Sequence, residues 1–312
     1  PHEGAKEAES TPLPAWERGL GGGGVILPWI YQLRGSGGSV RCRYLVNAAG
    51  LYADVIDRLL GHADFTVTPR RGELIVFDKL ARGLVNHILL PVPTSVTKGV
   101  LISPTVYGNV MLGPTAEDLE DKADTATSVG GLELLWRKGQ ALMPRLLEEE
   151  VTATYAGLRA ATEHPDYQIR LHAEQRYVCV GGIRSTGASA SLGIAEYVVE
   201  LLAEAGLVLQ SKAEFQPVRM PYLGEFGVRP YQSAELIAAN PNYGQIVCHC
   251  ERVTLGELLD ATHAAIPART LDGLRRRTRA LQGRCQGFNC HANVAAILAR
   301  ESGQSMDQVL KS

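Results

Sequence analysis

Two pairs of closely spaced cysteines near the C-terminus constrain the fold of this chain more than any other feature of its sequence. Cys248 and Cys250 form a Cys-x-Cys pair, Cys285 and Cys290 form a Cys-x4-Cys pair, and 34 residues separate Cys250 from Cys285. Thiolates grouped in this way ligate metals, and a fold that brings both pairs together creates a four-sulfur site. The C-terminal region is therefore predicted to be a small fold around a metal centre.

The spacing favours an iron–sulfur cluster over zinc. Zinc knuckles usually pair their cysteines as Cys-x2-Cys, which is the spacing of neither pair here. A four-thiolate site suits both zinc and iron–sulfur, so zinc remains the alternative. We predict a [2Fe-2S] cluster on the four cysteines.

Local signals predict three short helices around these cysteines. Thr254 and Glu257 form a capping-box pattern that opens the first helix. Thr270 can cap the second helix, and Gly283 is expected to end it. A third helix is predicted to start near His291, directly after Cys290. Helix starts beside thiolates supply backbone N–H donors, which stabilise a dianionic cluster.

Residues 243 to 300 resemble the BFD-like [2Fe-2S] domain. The resemblance rests on Ile-Val-Cys-His-Cys-Glu (246–251), Arg-Thr-Leu-Asp-Gly-Leu-Arg-Arg-Arg-Thr-Arg (269–279) and Gly-Arg-Cys-Gln-Gly-Phe-Asn-Cys (283–290). It implies an electron-relay role and ligation of the cluster by Cys248, Cys250, Cys285 and Cys290.

Composition limits the classes of function open to the chain. Its 312 residues should hold about two domains, and its 45% hydrophobic residues and net charge of −2 give no general attraction to nucleic acid or anionic lipid. The sequence predicts no direct membrane span and no signal peptide. Since the cysteines are grouped as metal ligands, a reducing compartment and a cytoplasmic location are expected.

Two strand–turn–helix segments have the local order that brings backbone close to a nucleotide. In the first, a hairpin about residues 35–38 leads into Asn47-Ala-Ala-Gly50 and then a helix that ends at Gly61. In the second, a strand over residues 177–180 turns through residues 181–187 into a helix that Ser189 or Ser191 can cap. The apolar face of the first helix is predicted to comprise Leu51, Val55, Ile56, Leu59 and Leu60.

Strand-sized apolar segments fill much of the region between these two. They cover residues 73–77, 87–90, 99–102 and 110–112, and Gly, Pro and Asn punctuate them as in an antiparallel sheet. A helix is predicted over residues 130–143, with Leu132, Leu135, Trp136 and Leu142 in the core.

The start of the chain carries a formal nucleotide-binding motif that fails its structural context. Residues 19–24 satisfy Gly-x-Gly-x-x-Gly, but no strand precedes them and no helix follows. We interpret residues 1–24 as a flexible segment and expect the protein to be N-terminally incomplete, without the first nucleotide-binding unit.

The chain from about residue 25 onward resembles the FAD-dependent D-amino-acid-oxidase-like superfamily, especially its anaerobic glycerol-3-phosphate dehydrogenase large-subunit type. The matching segments are Tyr-Leu-Val-Asn-Ala-Ala-Gly-Leu-Tyr-Ala-Asp (44–54), Pro-Arg-Arg-Gly-Glu (69–73), Leu-Pro-Val-Pro-Thr (90–94), Leu-Gly-Pro-Thr-Ala-Glu (112–117), Ala-Gly-Leu-Arg-Ala-Ala-Thr (156–162) and Gly-Gly-Ile-Arg-Ser-Thr-Gly (181–187). That type also shares the order of flavoprotein core, linker and BFD-like domain.

The resemblance implies an α/β plus α+β fold with five parts. These are a flexible segment (1–24), a partial Rossmann-like FAD-binding domain (25–64 and 150–207), an inserted antiparallel substrate-binding sheet (65–149), a linker (208–242) and a small helical [2Fe-2S] domain (243–312).

The resemblance also implies roles for individual residues. Arg159 would bind the anionic group of the substrate, because a guanidinium donates two parallel hydrogen bonds to phosphate or carboxylate. Arg71 and Arg184 are weaker candidates for that role, and His87 is the candidate base for a substrate hydroxyl. The residues expected to contact FAD are Asn47, Ala48, Ala49 and Gly50 on the adenosine side and Gly182, Ile183, Arg184, Ser185, Thr186 and Gly187 near the flavin ring.

The predicted function is FAD-dependent oxidation of sn-glycerol 3-phosphate, a small anionic substrate. Electrons would leave through the cluster to a partner subunit, which could place the protein at the inner face of the membrane. Two alternatives remain open. The substrate could be a 2-hydroxy acid, such as 2-hydroxyglutarate, or an amino or imino acid, or the chain could be a non-catalytic electron-transfer subunit.

Overall fold

A computed structural model of the protein describes residues 30–35, 38–92, 99–215 and 228–311. Its strands are β1 (Tyr31–Gly35), β2 (Gly38–Cys42), β3 (Leu45–Asn47), β4 (Val67–Phe77), β5 (Leu101–Pro104), β6 (Val110–Gly113), β7 (Glu117–Asp118), β8 (Val151–Thr162), β9 (Gln168–His172), β10 (Tyr177–Gly181), β11 (Ile246–Cys248) and β12 (Val253–Thr254). Its α-helices are α1 (Ala53–Leu59), α2 (Val129–Leu142), α3 (Gly187–Glu204), α4 (Ala234–Ala239), α5 (Leu255–His263), α6 (Leu271–Thr278), α7 (His291–Ser302) and α8 (Met306–Leu310).

The chain folds into two compact units. The first comprises the described residues up to Gly72 together with Ala116–Thr125 and Gly157–Ala213. The second comprises Glu73–Thr115, Ala126–Ala156 and the described residues after Ala213. The mixed α/β architecture that the sequence predicts is confirmed.

A small mixed sheet forms the centre of the first unit. β10 lies between β3, to which it is parallel, and β9, to which it is antiparallel. Tyr177, Val178 and Cys179 of β10 are buried, so the central strand is apolar on both faces. β1 and β2 form the predicted hairpin.

A five-stranded sheet has the order β5-β6-β4-β7, and β8 also pairs with β4. In the second unit its buried side chains pack with Leu135 of α2, whereas Trp136, predicted to be core, is 43% exposed. The predicted strand over residues 87–90 is wrong, since this segment contributes only a bridge between Leu89 and Ile102. Pro91 cannot donate to a continuing ladder.

The C-terminal part of the second unit has its own apolar core, as expected of a small packed fold. Side chains of α5, α6 and α7 meet there with the buried Cys248 and Cys290. Both predicted caps are confirmed, because Thr254 accepts from the Glu257 N–H at 3.2 Å and Thr270 from the Gly273 N–H at 2.9 Å.

The predicted end of the second helix of this part is wrong. α6 stops at Thr278, and Arg279, rather than Gly283, takes the left-handed conformation that terminates it. A residue in that conformation can end a helix by directing its N–H to a carbonyl of the last turn.

The buried face of α1 matches the predicted apolar face only in part, since Leu51 and Leu60 at its two ends pack against the core of the first unit. Ala53, Asp54 and Asp57 are buried, whereas Val55 is 37% and Leu59 is 43% exposed. A polar residue can also occupy the inward face of a helix when a buried partner compensates for its lost hydration.

The two buried carboxylates of α1 have such partners. Asp54 accepts from Lys122 Nζ at 2.7 Å and from the Val67 N–H at 3.1 Å, and Asp57 accepts from the Tyr177 hydroxyl at 2.8 Å. These partners are distant in sequence, which is why the local pattern did not reveal the burial.

The start of α3 also differs from its prediction. The helix begins at Gly187, so Ser189 and Ser191 lie inside it and donate to the carbonyls of Thr186 and Ala188. Serine hydroxyls in a first turn can bond to the preceding carbonyls instead of capping free N–H groups.

Residues 1–24, with their glycine-rich motif, lie outside the described residues, as do residues 216–227 of the predicted linker. In the part of the chain that the structure describes, none of the helices combines the length and the apolar content that crossing a bilayer requires.

Candidate functional site

The four cysteines of the predicted cluster site lie on two loops of the second unit. Cys248 ends β11, and Cys250 lies in the turn that leads to β12. Cys285 lies in the turns after α6, and Cys290 is the residue before α7. Cys248 and Cys290 are buried, whereas Cys250 and Cys285 are partly exposed.

The fold brings these two loops together. The Cys285 thiol affects the pKa of Cys250, and the Cys248 thiol affects that of Cys290, so the members of each pair lie close together. Cys250 also lies within electrostatic range of Cys248, as Cys290 does of Cys285. All four are free thiols. Two segments 34 residues apart therefore meet in one group of four sulfur atoms.

Backbone donors favour the thiolate form of Cys285. The N–H groups of Asn289, Gly287 and Phe288 donate to its sulfur, and they lower the pKa of the thiol against the opposing effect of burial. The thiolate is the form that ligates metals. The turns over residues 285–290 thus supply backbone donors that stabilise negative charge on Cys285.

Two other thiols of the group are held protonated. Burial, reinforced by the neighbouring Cys248, raises the pKa of Cys290 to about 12. For Cys250, a hydrogen bond from the Cys285 backbone lowers the pKa, but burial and the adjacent thiols outweigh it and the net shift is upward. A metal must therefore displace protons from these sulfurs when it binds.

Four cysteine thiols are a ligand set that suits both zinc and a [2Fe-2S] cluster. Among the described residues, no group of three or more His, Cys, Asp or Glu side chains is arranged to hold a metal ion. A single zinc ion would need four thiolates about one point. A [2Fe-2S] cluster needs two thiolates on each of two iron atoms, so four thiols also match its ligand number.

Three arginines form a second group, in the first unit. Arg159, on β8, donates to the backbone carbonyls of Arg71 at 3.0 Å and Arg70 at 3.4 Å. Arg70 forms a two-point ion pair with Asp118, with distances of 2.5 and 2.8 Å. Burial, together with the charge of Arg70, lowers the pKa of Arg159. A phosphate or carboxylate bound here would offset the repulsion among these cations.

Arg71 is the most buried member of this group. Its side chain is 8% exposed and forms ion pairs with Glu117 at 2.6 Å and Asp124 at 3.3 Å. The group therefore contains carboxylates as well as guanidinium groups, and these carboxylates hold the arginine side chains in fixed positions.

The Asn47–Gly50 turn has a buried side chain and an exposed backbone. Asn47 Nδ2 donates to the Ala53 carbonyl and to the Tyr177 hydroxyl, both at 2.8 Å, so this side chain shapes the turn from inside. Ala48, Ala49 and Gly50 are exposed, and Gly50 has a φ of +58°, which favours glycine. The exposed backbone is the part that can approach a nucleotide.

The residue 181–187 turn leads into α3 without a side-chain cap at Thr186. The first N–H groups of α3 therefore receive no hydrogen bond from that side chain, as in helices that contact anionic or electron-rich groups. Arg184 has a φ of +58° and donates to the Thr162 carbonyl at 3.3 Å and to the His164 carbonyl. The Arg184 guanidinium is thus already hydrogen-bonded to backbone carbonyls of this chain.

His87 and Glu251 are two polar residues of the second unit that differ in exposure. His87, the candidate base, is exposed in the bend before Leu89. Glu251, which the sequence reasoning missed, is 3% exposed directly after Cys250 and contacts Lys79 and Arg279. No local pattern identifies it, because Lys79 lies 172 residues away in the sequence.

Comparison with known families agrees with this geometry. Residues 2–201, more than half of the chain, match the FAD dependent oxidoreductase family. The chain belongs to this family of FAD-dependent oxidoreductases. Residues 246–300 match the BFD-like [2Fe-2S] binding domain, and all four cysteines of the site fall within that match. Both resemblances seen in the sequence are confirmed.

Relatives of this FAD-dependent oxidoreductase include enzymes of glycerol 3-phosphate. The glycerol 3-phosphate dehydrogenase of Caloramator mitchellensis is 36% identical over 86% of this chain and 56% of its own length. One subunit of the anaerobic glycerol-3-phosphate dehydrogenase of Escherichia coli K12 is 26% identical over 89% of this chain and 57% of its own length. The chain spans a little over half the length of these two curated relatives.

A solved structure supports the same relationship. The dithionite-reduced L-alpha-glycerophosphate oxidase of Mycoplasma pneumoniae, with FAD bound, is similar with a TM-score of 0.50 and 31% identity. The similarity covers 56% of this chain and 45% of that one.

Proposed function

We propose that this protein oxidises sn-glycerol 3-phosphate with FAD and passes the electrons on through a [2Fe-2S] cluster. The observation that carries the proposal is the presence, in one chain, of the FAD-dependent oxidoreductase family match and a converged four-thiol site. The substrate is inferred from relatives named glycerol 3-phosphate dehydrogenase and L-alpha-glycerophosphate oxidase. An electron-accepting partner is inferred because the Escherichia coli relative is one subunit of its dehydrogenase.

The electron-transfer chemistry of FAD and that of the [2Fe-2S] cluster are complementary. Oxidation of the secondary alcohol removes a hydride from carbon and a proton from the hydroxyl, and leaves a ketone. Bound FAD would supply an acceptor for two electrons at once, and the cluster would supply an outlet for one electron at a time.

Residues of this chain are assigned four roles in the proposed reaction. Arg159, supported by Arg70 and Arg71, would hold the phosphate, because these guanidinium groups are already fixed by hydrogen bonds. His87 would accept the hydroxyl proton. The turns at Asn47–Gly50 and Gly182–Gly187 would contact FAD, and Cys248, Cys250, Cys285 and Cys290 would ligate the cluster.

Anaerobic purification with assays for iron, acid-labile sulfide and flavin, followed by a substrate panel, tests the proposal. sn-Glycerol 3-phosphate is expected to bleach the flavin absorbance and to produce the electron paramagnetic resonance signal of a reduced cluster. Faster reduction by 2-hydroxyglutarate or an amino acid would change the substrate. Iron and sulfide without flavin would indicate an electron-transfer subunit, and bound zinc without sulfide would remove both roles.

A further inference from the structure

A buried carboxylate joins the two loops that carry the cysteines to the part of the antiparallel sheet that lies in the second unit. Glu251 follows Cys250, and its side chain is 3% exposed. Lys79 Nζ, just after β4, lies 3.2 Å from Glu251 Oε2, and Arg279 Nε lies 3.5 Å from the same oxygen. One cation from the sheet side and one from the cluster side thus meet on one carboxylate. Buried charges of this kind are stable only when they are paired.

Arg279 makes a second contact with the sheet. Its guanidinium carbon lies 3.9 Å from the centroid of the Tyr107 ring, in the turn between β5 and β6, a distance at which cation–π attraction is effective. Arg279 has a φ of +70°, an unfavourable conformation for a residue with a long side chain. Strain of this kind persists where the surrounding contacts hold the residue in place.

The second cysteine loop is also in contact with Glu251. A Cβ added to Gly283 would lie 3.1 Å from Glu251 Cγ and 2.3 Å from Cys250 Cβ. Arg284, the next residue, forms an ion pair with Glu150 just before β8. Both loops that carry cluster cysteines are therefore connected to the sheet, and Glu251 lies where the connections meet.

We propose that Glu251 is a positioning residue, which locks the cluster-binding loops onto the antiparallel sheet through Lys79 and Arg279. The lock keeps the cluster at a constant place on the part of the chain that carries the sheet. Its purpose rests on the proposed function, since an electron relay needs a cluster that stays in one place on the protein. The lock itself rests only on the contacts among Glu251, Lys79, Arg279 and Tyr107.

Hydrogen exchange of the 312-residue chain with its cluster assembled tests the lock. In Glu251→Gln, amides of residues 105–109 and 279–284 are expected to exchange about tenfold faster, because local opening no longer has to break the ion pairs. Amides of α7 should be unaffected. Lys79→Met, which is on the sheet side and carries no risk to the cysteine loops, should have the same effect. The double variant should add little, since both changes remove one contact.

Asp272→Asn is the matched control. Asp272 lies on α6, within residues 246–300, which we call the cluster domain. Its carboxylate is also paired with two arginines, Arg275 at 2.7 Å and Arg276, but its side chain is 41% exposed. Its substitution should leave exchange at residues 105–109 unchanged. If Glu251→Gln fails to retain iron, Lys79→Met decides the question. Wild-type exchange rates at residues 105–109 and 279–284 in Lys79→Met, at full iron content, overturn the proposal.

The readout separates this inference from the proposed function. Hydrogen exchange requires neither flavin nor substrate, so failure of the protein to oxidise sn-glycerol 3-phosphate would leave the result interpretable. Conversely, substrate-dependent cluster reduction with unchanged exchange in the variants would retain the function and remove the lock.

Discussion

Gly283 sets how closely the two cysteine loops can approach one another. A Cβ at this position would lie 2.3 Å from Cys250 Cβ, whereas carbon atoms in contact are about 3.5–4.0 Å apart. The glycine is therefore required for packing and not for helix termination, which was its predicted role. Because Gly283 has no side chain, the second cysteine loop can approach Cys250 closely enough for the four thiols to meet.

Gly283→Ala is expected to reduce cluster content. Forcing a methyl group into this contact should cost about 1–3 kcal/mol and separate Cys250 from the second loop. Iron and sulfide per chain, measured after anaerobic reconstitution, should fall well below the wild-type values. Gly193→Ala is the control, because nothing lies within 4 Å of a Cβ added in α3. Full iron content in Gly283→Ala would show that the loops can move apart without harm.

The lowered pKa of Asp54 predicts that the stability of the first unit depends on pH. Burial opposes its ionisation, but hydrogen bonds from Lys122, the Val67 N–H and Arg58 outweigh burial and lower its pKa below the ordinary 3.8. A lowered folded-state pKa stabilises the fold at pH values above the unfolded-state pKa, and this stabilisation is lost as pH falls through the folded-state pKa. Asp54→Asn should therefore lower the free energy of unfolding by about 3 kcal/mol at pH 7.

Urea unfolding of wild type and Asp54→Asn at several pH values checks the sign. The difference in unfolding free energy should be constant from pH 7 to about 5 and shrink below about pH 4. Asp118→Asn is a suitable comparison, because Asp118 is 49% exposed in its pair with Arg70 and should contribute less than about 1 kcal/mol. A wild-type advantage that grows on acidification would contradict the assignment.

At the scale of elements, the capping box of α5 connects a sequence signal to the stability of the cluster domain. Thr254 is fully buried, accepts from the Glu257 N–H at 3.2 Å and donates to Glu257 Oε2 at 3.0 Å. Glu257 Oε1 also accepts a hydrogen bond from the Arg229 guanidinium at 3.0 Å. The cap thus fixes the start of α5 beside β12 and the turn that carries Cys250.

Thr254→Ala is expected to destabilise the cluster domain by about 1–2 kcal/mol, because two hydrogen bonds at a buried helix start are lost. Thermal unfolding followed by the cluster absorbance should show a lower midpoint. Thr254→Ser retains the hydroxyl and should lie close to wild type. Ser305→Ala removes the same type of box from the five-residue α8 and should have a smaller effect. Equal losses in both alanine variants would argue against a special role for α5.

What the sequence could predict at this scale depended on how local the cause is. Thr254 and Thr270 carry their caps within three residues, and β1 pairs with the next strand in the chain, β2, so these elements were predictable. The buried face of α1 was not, because Asp54 is held by Lys122, 68 residues away. Glu251 and its partner Lys79 are separated by 172 residues, and no periodicity connects them.

At the scale of the whole molecule, the residues proposed for the cluster and those proposed for FAD and the substrate occupy different lengths of the chain. The four cysteines and their backbone donors all lie within residues 246–300, which match one domain family. The FAD-dependent oxidoreductase match extends over residues 2–201, and the chain spans only a little over half the length of its curated relatives. The proposed cluster ligands therefore lie in one contiguous segment, whereas the residues proposed to contact FAD and the substrate lie in several separate segments.

Cluster assembly is accordingly predicted to be independent of flavin. Reconstitution of the chain with ferric iron and sulfide under anaerobic conditions should yield about two iron and two sulfide ions per chain, with or without added FAD. The thiol pKa of Cys290 is about 12 and that of Cys250 is raised, so uptake should release protons, which a pH indicator can follow during the titration. Cys285→Ser should abolish uptake, whereas Cys42→Ser, far from the site in sequence, should not. Iron uptake that requires FAD would show that the cluster loops fold only once the flavoprotein part has bound its cofactor, and the separation of the two functions argued from the family matches would then be wrong.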